Sequence, residues 1–400
     1  MKKKTWFLFM AMGILIASLS TGFNAYAEEK PIKIGFVADF TGPLTEHGIA
    51  AKQGAILAME QAGNKVGGRP VELIIEDEAS DPAVAMDKAR KLVETNKVSM
   101  ILGPFHGGCA GAVAGYVGRV KIPMMTYWHS TANAVQAKAK WVWAPLGTLS
   151  TVSYPTGAYA YEKLGYRTVS TIGTDYVAGR EFIGGGVMGF KDGGGKIIQE
   201  QWVPLGTKDV SSYITVLKDA DALFAWFMGV TVIPGLRQLR EYKVKMPVIM
   251  PQSGHSTHPK IMEQMGDTCL GIITSCLYAW TIDTPENKKF VDAYQKRWGG
   301  LPGGLSYGAY TTLQMALSAL EKTGDDTSPE AIAKALDAME FRAMLGTIRF
   351  GDARVGVTNN ITYKHVKVNG QIVPEVIGTS TVVTKKVGNK LVHSLGSKSW

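Results

Sequence analysis

Two short stretches of the chain carry the spacing of known catalytic loops. Gly304-Leu305-Ser306-Tyr307-Gly308 matches the G-x-S-x-G pattern of a nucleophile elbow, and Asp325 and His365 follow in the order of a hydrolase acid and base. A true elbow turns sharply from a strand into a helix, whereas Gly299 to Gly304 is a glycine- and proline-containing loop that cannot be a central strand. Ser306 is more simply the N-cap of a helix starting at Tyr307. Gly184-Gly185-Gly186-Val187-Met188-Gly189 satisfies the dinucleotide pattern G-x-G-x-x-G, but it lies within or at the end of a helix begun near Val177 rather than after a strand. His106-x-x-Cys109 and His255-x-x-His258 each offer only two metal ligands, with no partner pair at a recognisable spacing, and read as polar residues of loops and a pocket. No paired-carboxylate or Walker-type motif stands out. The residues thus support binding rather than catalysis, with no cofactor and no metal.

The elements that must position such a site alternate regularly. Ile32 to Ala38 is a near-continuous apolar strand of the buried parallel sort. A helix from Gly48 to Ala62, a strand from Val71 to Asp77, and a helix opened by Asp81-Pro82 follow. The series continues with the strand Val98 to Gly103, a helix over about Cys109 to Arg119 and the strand Ile122 to Thr126. The same grammar restarts after Pro145-Leu146-Gly147, with strands at Thr168 to Gly173, Ile197 to Trp202, Asp221 to Met228, Val248 to Met250 and Leu270 to Leu277. Helices then cover Asn287 to Trp298, Tyr307 to Lys322, and a segment opened by Thr327-Ser328-Pro329-Glu330. The C-terminal part reads as β, with Asn369-Gly370 joining Ile361 to Val368 and Gln371 to Val376 as a hairpin. Two doubly wound α/β lobes follow from this pattern, with the ligand expected in the cleft between them.

Residues 1–27 read as a secretory signal: Lys2 to Lys4, an apolar run from Trp6, and Ala25-Tyr26-Ala27 as the cleavage site. No Cys follows that site to carry a lipid, so a free periplasmic protein is expected. Loss of the three lysines lowers the formal charge from +9 to +6, scattered without a basic run, which argues against nucleic acid. Hydrophobic residues at 46% and charged ones at 19% allow a large core and two domains. The cysteines are Cys109, Cys269 and Cys276. If the run between the last two is one extended strand, its ends lie roughly 23 Å apart, too far for a disulfide.

Ile34-Gly35-Phe36 through Phe40-Thr41-Gly42-Pro43-Leu44, Gly68 to Leu73, Glu76-Asp77-Glu78 with Asp81-Pro82, Ile101 to Pro104, Ile122 to Thr126 and Asp175 to Gly179 together resemble the periplasmic leucine/isoleucine/valine-binding proteins. No one motif is specific; their order and spacing are. The resemblance implies a type I periplasmic binding fold: two Rossmann-like lobes joined by three hinge crossings. Residues 28–146 with 282–345 would form one lobe, and 147–281 with 346–400 the other. It also implies a monomer that hands a small molecule to the membrane permease of an ABC transporter. The family's ligand-facing positions fall on His47, His106, Gly107, Gly108, Trp128, Ser130, Tyr176, Met228 and Gln252. Gly107, Gly108 and Ser130 would receive a carboxylate, Tyr176 would close over the ligand, and Trp128 and Met228 would shape an apolar pocket.

The chain departs from that family in three places. Gln252 stands where the amino-acid binders have a Glu for the ligand's ammonium, and Gly107 where they often have a Ser. Ala79 and His106 stand at their paired cysteines, so that disulfide is absent. A buried ammonium without a carboxylate is costly. The expected ligand is therefore a small hydrophobic amino acid at family level, and more specifically an aromatic or aliphatic carboxylate or amide without the ammonium, with His47 and His106 at its polar end. A sensor of the same fold and an exported hydrolase are the competing readings.

Overall fold

A computed structural model describes residues 30–400, apart from 43, 133, 135–139, 253–258, 352 and 389. The signal segment and the His255/His258 pair lie outside the described residues. Ile32–Ala38 (β1) is apolar along nearly its whole length and buried on both faces, as a central parallel strand must be. Helix α1 (Thr45–Gln61), a short pair β2 (Lys65–Val66) and β3 (Arg69–Asp77), and helix α2 (Pro82–Arg90) follow. Asp81 caps α2 by accepting the amide protons of Ala83 and Val84, with Pro82 in the first turn, a cap worth about 1 kcal/mol. Then come β4 (Met100–Leu102), α3 (Gly107–Val120), β5 (Met124–Met125) and β6 (Val142–Trp143). The first sheet has the order β2-β3-β1-β4-β5-β6, all parallel except the β2–β3 pair.

The second lobe opens with α4 (Leu149–Glu162), β7 (Thr168–Asp175), α5 (Val177–Asp192), β8 (Lys196–Pro204), the one-turn α6 (Ser211–Ile214), β9 (Ala222–Trp226), α7 (Val232–Glu241), β10 (Val248–Met250), α8 (Pro259–Met265) and β11 (Ile273–Cys276). The chain then returns to the first lobe with α9 (Pro285–Trp298) and α10 (Gly304–Thr323), which pack on α1 through Tyr294 to Gln53, Tyr310 to Gln61 and the Arg297–Glu60 ion pair. Helix α11 (Pro329–Asp337) follows, capped by Ser328, and then β12 (Glu340–Ala343), β13 (Gly346–Phe350), β14 (Gly356–Val368), β15 (Gln371–Val387) and β16 (Lys390–Ser399). The second sheet runs β12-β13-β14-β11-β10-β9-β7-β8, parallel from β8 to β11 and antiparallel beyond, with β15 and β16 branching from β14. Its β12 lies a few residues before the expected third crossing. Asn369 and Gly370 both have positive φ, as the expected hairpin turn requires.

Three motif readings resolve structurally. Helix α10 starts at Gly304 with Gly303 as its N-cap, so Ser306 is not the N-cap and does not sit on a strand-to-helix turn; it is fully buried in the helix and donates to the Tyr294 hydroxyl. His365 is also buried, its Nδ1 bonded to the Ile272 carbonyl in the second sheet. The 184–189 glycines lie inside α5, and Gly185 and Gly189 let it approach α4: a Cβ on Gly189 would lie 2.2 Å from the Tyr154 carbonyl oxygen, and one on Gly157 of α4 would lie 1.8 Å from that of Gly186. All three cysteines are free and buried.

Candidate ligand-binding site

In an open α/β sheet the ligand site forms at the carboxyl ends of the strands, where the strand order reverses. Here β1 lies between β3 and β4, and β7 between β8 and β9, and the carboxyl ends of both sheets face one cleft. A cavity of 510 Å³ fills it, the size of a small-ligand site. From the first lobe it is walled by α1 and by the loops after β3, β4 and β5; from the second, by the start of α5 and the loops after β8, β9 and β10.

The walls are aromatic. On one side His47 stacks on Phe105 at 5.7 Å and Phe105 on Tyr127 at 6.3 Å, which in turn stacks on Phe36 at 5.0 Å. On the other, Trp226 packs between Tyr176 at 5.9 Å and Phe182 at 4.9 Å. His129 joins the two walls, 4.2 Å from the Trp128 ring and edge-on to Phe182 at 6.2 Å. Among the described residues, no Lys, Arg, Asp or Glu lines the cavity. An ammonium would therefore find no carboxylate there, and a carboxylate no basic side chain other than imidazole.

An anion finds helix termini instead. Gly107 opens α3 after His106, and Val177 opens α5 after Tyr176; neither N-cap side chain bonds the helix's first amide groups. Those N–H groups and the positive end of each helix are available to a ligand. A Cβ on Gly107 would come within 2.6 Å of the Thr131 methyl, so glycine keeps this approach open.

Nε2 of His129 and Nε2 of Gln252 are buried in the walls without a hydrogen-bond partner. A carbonyl only accepts, so the contact of His129 Nδ1 with the Leu146 carbonyl at 3.1 Å puts the ring proton on Nδ1. Burial pushes the imidazole down to about 3, so the ring is neutral and Nε2 is an acceptor. Burial likewise raises the Tyr176 phenol, which stays neutral. Behind Phe182, Glu181 reaches across the cleft: its carboxylate accepts the Ala132 amide proton at 3.1 Å, and burial raises it to about 7.

Of the nine residues expected from the sequence, His47, His106, Gly107, Trp128, Tyr176, Met228 and Gln252 line the cavity. Gly108 and Ser130 are not among its lining residues. Gly108 is in the first turn of α3, where a Cβ would face the His106 ring. Ser130 is buried in the first crossing, where its backbone pairs with Gly147 and Leu149, so strand pairing across the hinge turns it from the cleft. Its neighbour His129, which is not among the nine expected positions, lines the cavity instead. Phe105, Phe182 and Trp226 were not expected in the site. Phe105 adjoins His106 in the loop after β4, a local signal; Phe182 and Trp226 lie in stretches that read as core.

A family model described as periplasmic binding protein matches residues 31–370. The chain belongs to the periplasmic binding protein family. A Leu/Ile/Val-binding protein homolog from Brucella melitensis is 28% identical, covering 86% of this chain and 88% of the relative. An ABC transporter substrate-binding protein from Sphaerobacter thermophilus is 30% identical with a TM-score of 0.83, covering 88% of this chain and 98% of that one. A solute-binding protein of an ABC transporter from Rhodopseudomonas palustris, solved with 3,4-dihydroxybenzoic acid, is 27% identical with a TM-score of 0.79, covering 87% and 97%. This periplasmic binding protein has the type I fold of these relatives, and no helix among its described residues is long and apolar enough to cross a membrane.

Proposed function

We propose that this protein is the solute receptor of an ABC importer and that its ligand is a small aromatic or apolar carboxylate without an ammonium group. The observation that carries the reading is the uncharged, aromatic-walled cavity between two helix N-termini. The ring would lie among Trp128, Tyr176, Phe182 and Trp226, and the carboxylate against the start of α3 beside His106 and Gly107. His129 and Gln252 would supply one acceptor and one donor to a polar substituent such as a hydroxyl. The 3,4-dihydroxybenzoic acid bound by the 27%-identical relative supports this class.

The chain is exported with cleavage at Ala27, works as a monomer, binds rather than transforms its ligand, and delivers it to a membrane permease. The two lobes close by a population shift toward the state that the ligand bridges. A thermal-shift screen of residues 28–400 against benzoate, 4-hydroxybenzoate, leucine, isoleucine, valine and benzamide tests the reading. A ligand at 100 times its Kd adds about 2.7 kcal/mol of stability. Shifts with the aromatic acids alone support the proposal; shifts with the branched amino acids alone overturn the ligand class.

A further inference from the structure

Under the floor of the cleft lie two carboxyl groups with no basic partner. Asp39 follows β1 directly and Glu78 follows β3 directly; the strands are paired in register up to Ala38 and Asp77, so the two side chains come together, both fully buried. Glu78 Oε1 accepts the amide protons of Phe105 at 3.0 Å and of His106 at 3.2 Å. Asp39 Oδ1 accepts from the Ser80 hydroxyl at 2.6 Å. Each group keeps one buried oxygen, Oε2 of Glu78 and Oδ2 of Asp39, with no hydrogen bond of ordinary geometry, the Cys109 thiol being the nearest weak donor to Glu78. Two ionised carboxylates cannot rest against each other in such a place; one proton between them satisfies both.

We propose that Glu78 is a positioning residue of the ligand site: it shares a proton with Asp39 and, through its other oxygen, holds the Phe105–His106 turn that opens α3 toward the ligand. The inference rests on the cleft being the ligand site. Burial and the facing Asp39 charge push Glu78 up to about 9, so the shared proton is present at neutral pH. The other titratable groups around the pair are Asp77, which accepts the amide protons of Phe40 and Ala79, Asp81 in the loop of Glu78, His106 before α3, Cys109 in α3, and Tyr127 after β5. Burial raises both the Cys109 thiol and the Tyr127 phenol, so neither adds charge at neutral pH. Above pH 9 the pair would carry two charges directly beneath the place where the ligand's carboxylate arrives.

The test uses benzoate, whose charge is constant above pH 6, by calorimetry from pH 7 to 9.5 on the mature protein. Glu78→Gln keeps an acceptor for the two amides and a permanent donor for Asp39; it should bind within about threefold of wild type at pH 7 and change by no more than about twofold up to pH 9.5. Wild type should weaken severalfold by pH 9.5, and Glu78→Ala should be weaker by tenfold or more at pH 7. Carbon-13 carboxyl resonances of the ligand-free protein, with Glu78 assigned by its loss in the Gln variant, should show no Glu78 titration below pH 7.5. Titration of Glu78 near 4.5, wild-type affinity in Glu78→Ala, or an equal fall with pH in Glu78→Gln overturns the proposal. If wild type does not bind benzoate at all, the ligand class fails, and the Glu78 resonance still decides whether the proton is shared.

Discussion

Closure of the lobes should take up a proton at Glu181. This carboxyl sits on α5 in the second lobe, and in this structure it bridges the cleft by accepting the amide proton of Ala132 from the first. Burial raises it from its ordinary value of 4.5 to about 7. In an open molecule the same side chain faces water and returns to the ordinary value. The closed state then holds more protons than the open one between those two pH values, so closure is favoured as pH falls and loses that contribution as pH rises through about 7. Between pH 8 and pH 6 the linkage amounts to about a tenfold gain in apparent affinity, or about 1.4 kcal/mol. Benzoate keeps its charge over that range, so its Kd by calorimetry reads the protein alone. His47 and His106 also line the cavity, and Glu181→Gln separates their contribution: the variant should lose the part of the slope that belongs to closure. Equal slopes in wild type and Glu181→Gln, or a Kd that tightens as pH rises, would refute the reasoning.

Three further outcomes follow from named contacts. Gln252→Glu places an unpaired carboxylate at a site 1% exposed; it should weaken benzoate binding by at least tenfold and bring in leucine binding, as calorimetry with both ligands will show, since an unpaired buried charge costs about 3–5 kcal/mol. Ser306→Ala removes one buried hydroxyl contact with Tyr294 and should lower the melting temperature by a few degrees, about 1 kcal/mol, while leaving ligand affinity unchanged; loss of a measurable turnover instead would revive the hydrolase reading. Gly157→Ala drives a methyl onto the Gly186 carbonyl and should cost about 1–3 kcal/mol in thermal unfolding, with no comparable cost for Gly184→Ala, whose Cβ would meet nothing.

What could be read from the sequence was whatever depends on neighbours in the chain. The alternation of strands and helices, the Asp81 and Ser328 caps, the Asn369-Gly370 turn, and the loops that follow each strand are set by a few consecutive residues. Seven of the nine expected positions line the cavity because they sit at those loops or beside them. Element ends were less legible. Helix α1 begins at Thr45 rather than Gly48, and α10 at Gly304 rather than Tyr307, because each helix is held by its packing on the other: a Cβ on Gly54 of α1 would lie 2.0 Å from the Ser306 carbonyl oxygen. That contact spans some 250 residues of chain, and no local pattern announces it.

The same distinction explains the aromatic wall. All five residues of β9 are buried, so Trp226 carries the signature of an ordinary core strand, and only the placement of Tyr176 and Phe182 against it turns one edge toward the cleft. Phe182 is equally ambiguous on α5, one apolar residue among several on a helix that packs on α4 through Gly185 and Gly189. His129 and Ser130 show how little separates a site residue from a structural one. Adjacent residues in a chain that is pairing its backbone point opposite ways, so the pairing of Ser130 with Gly147 and Leu149 commits Ser130 to the hinge and sends His129 to the cavity. Family likeness assigns such a loop to the ligand; which of its side chains faces the ligand depends on the backbone hydrogen bonds across the crossing. In this chain they bring an imidazole acceptor into a cavity whose wall also holds the buried amide donor of Gln252. A carboxylate that also bears a hydroxyl can satisfy both, while a branched-chain amino acid leaves its ammonium without a counter-charge.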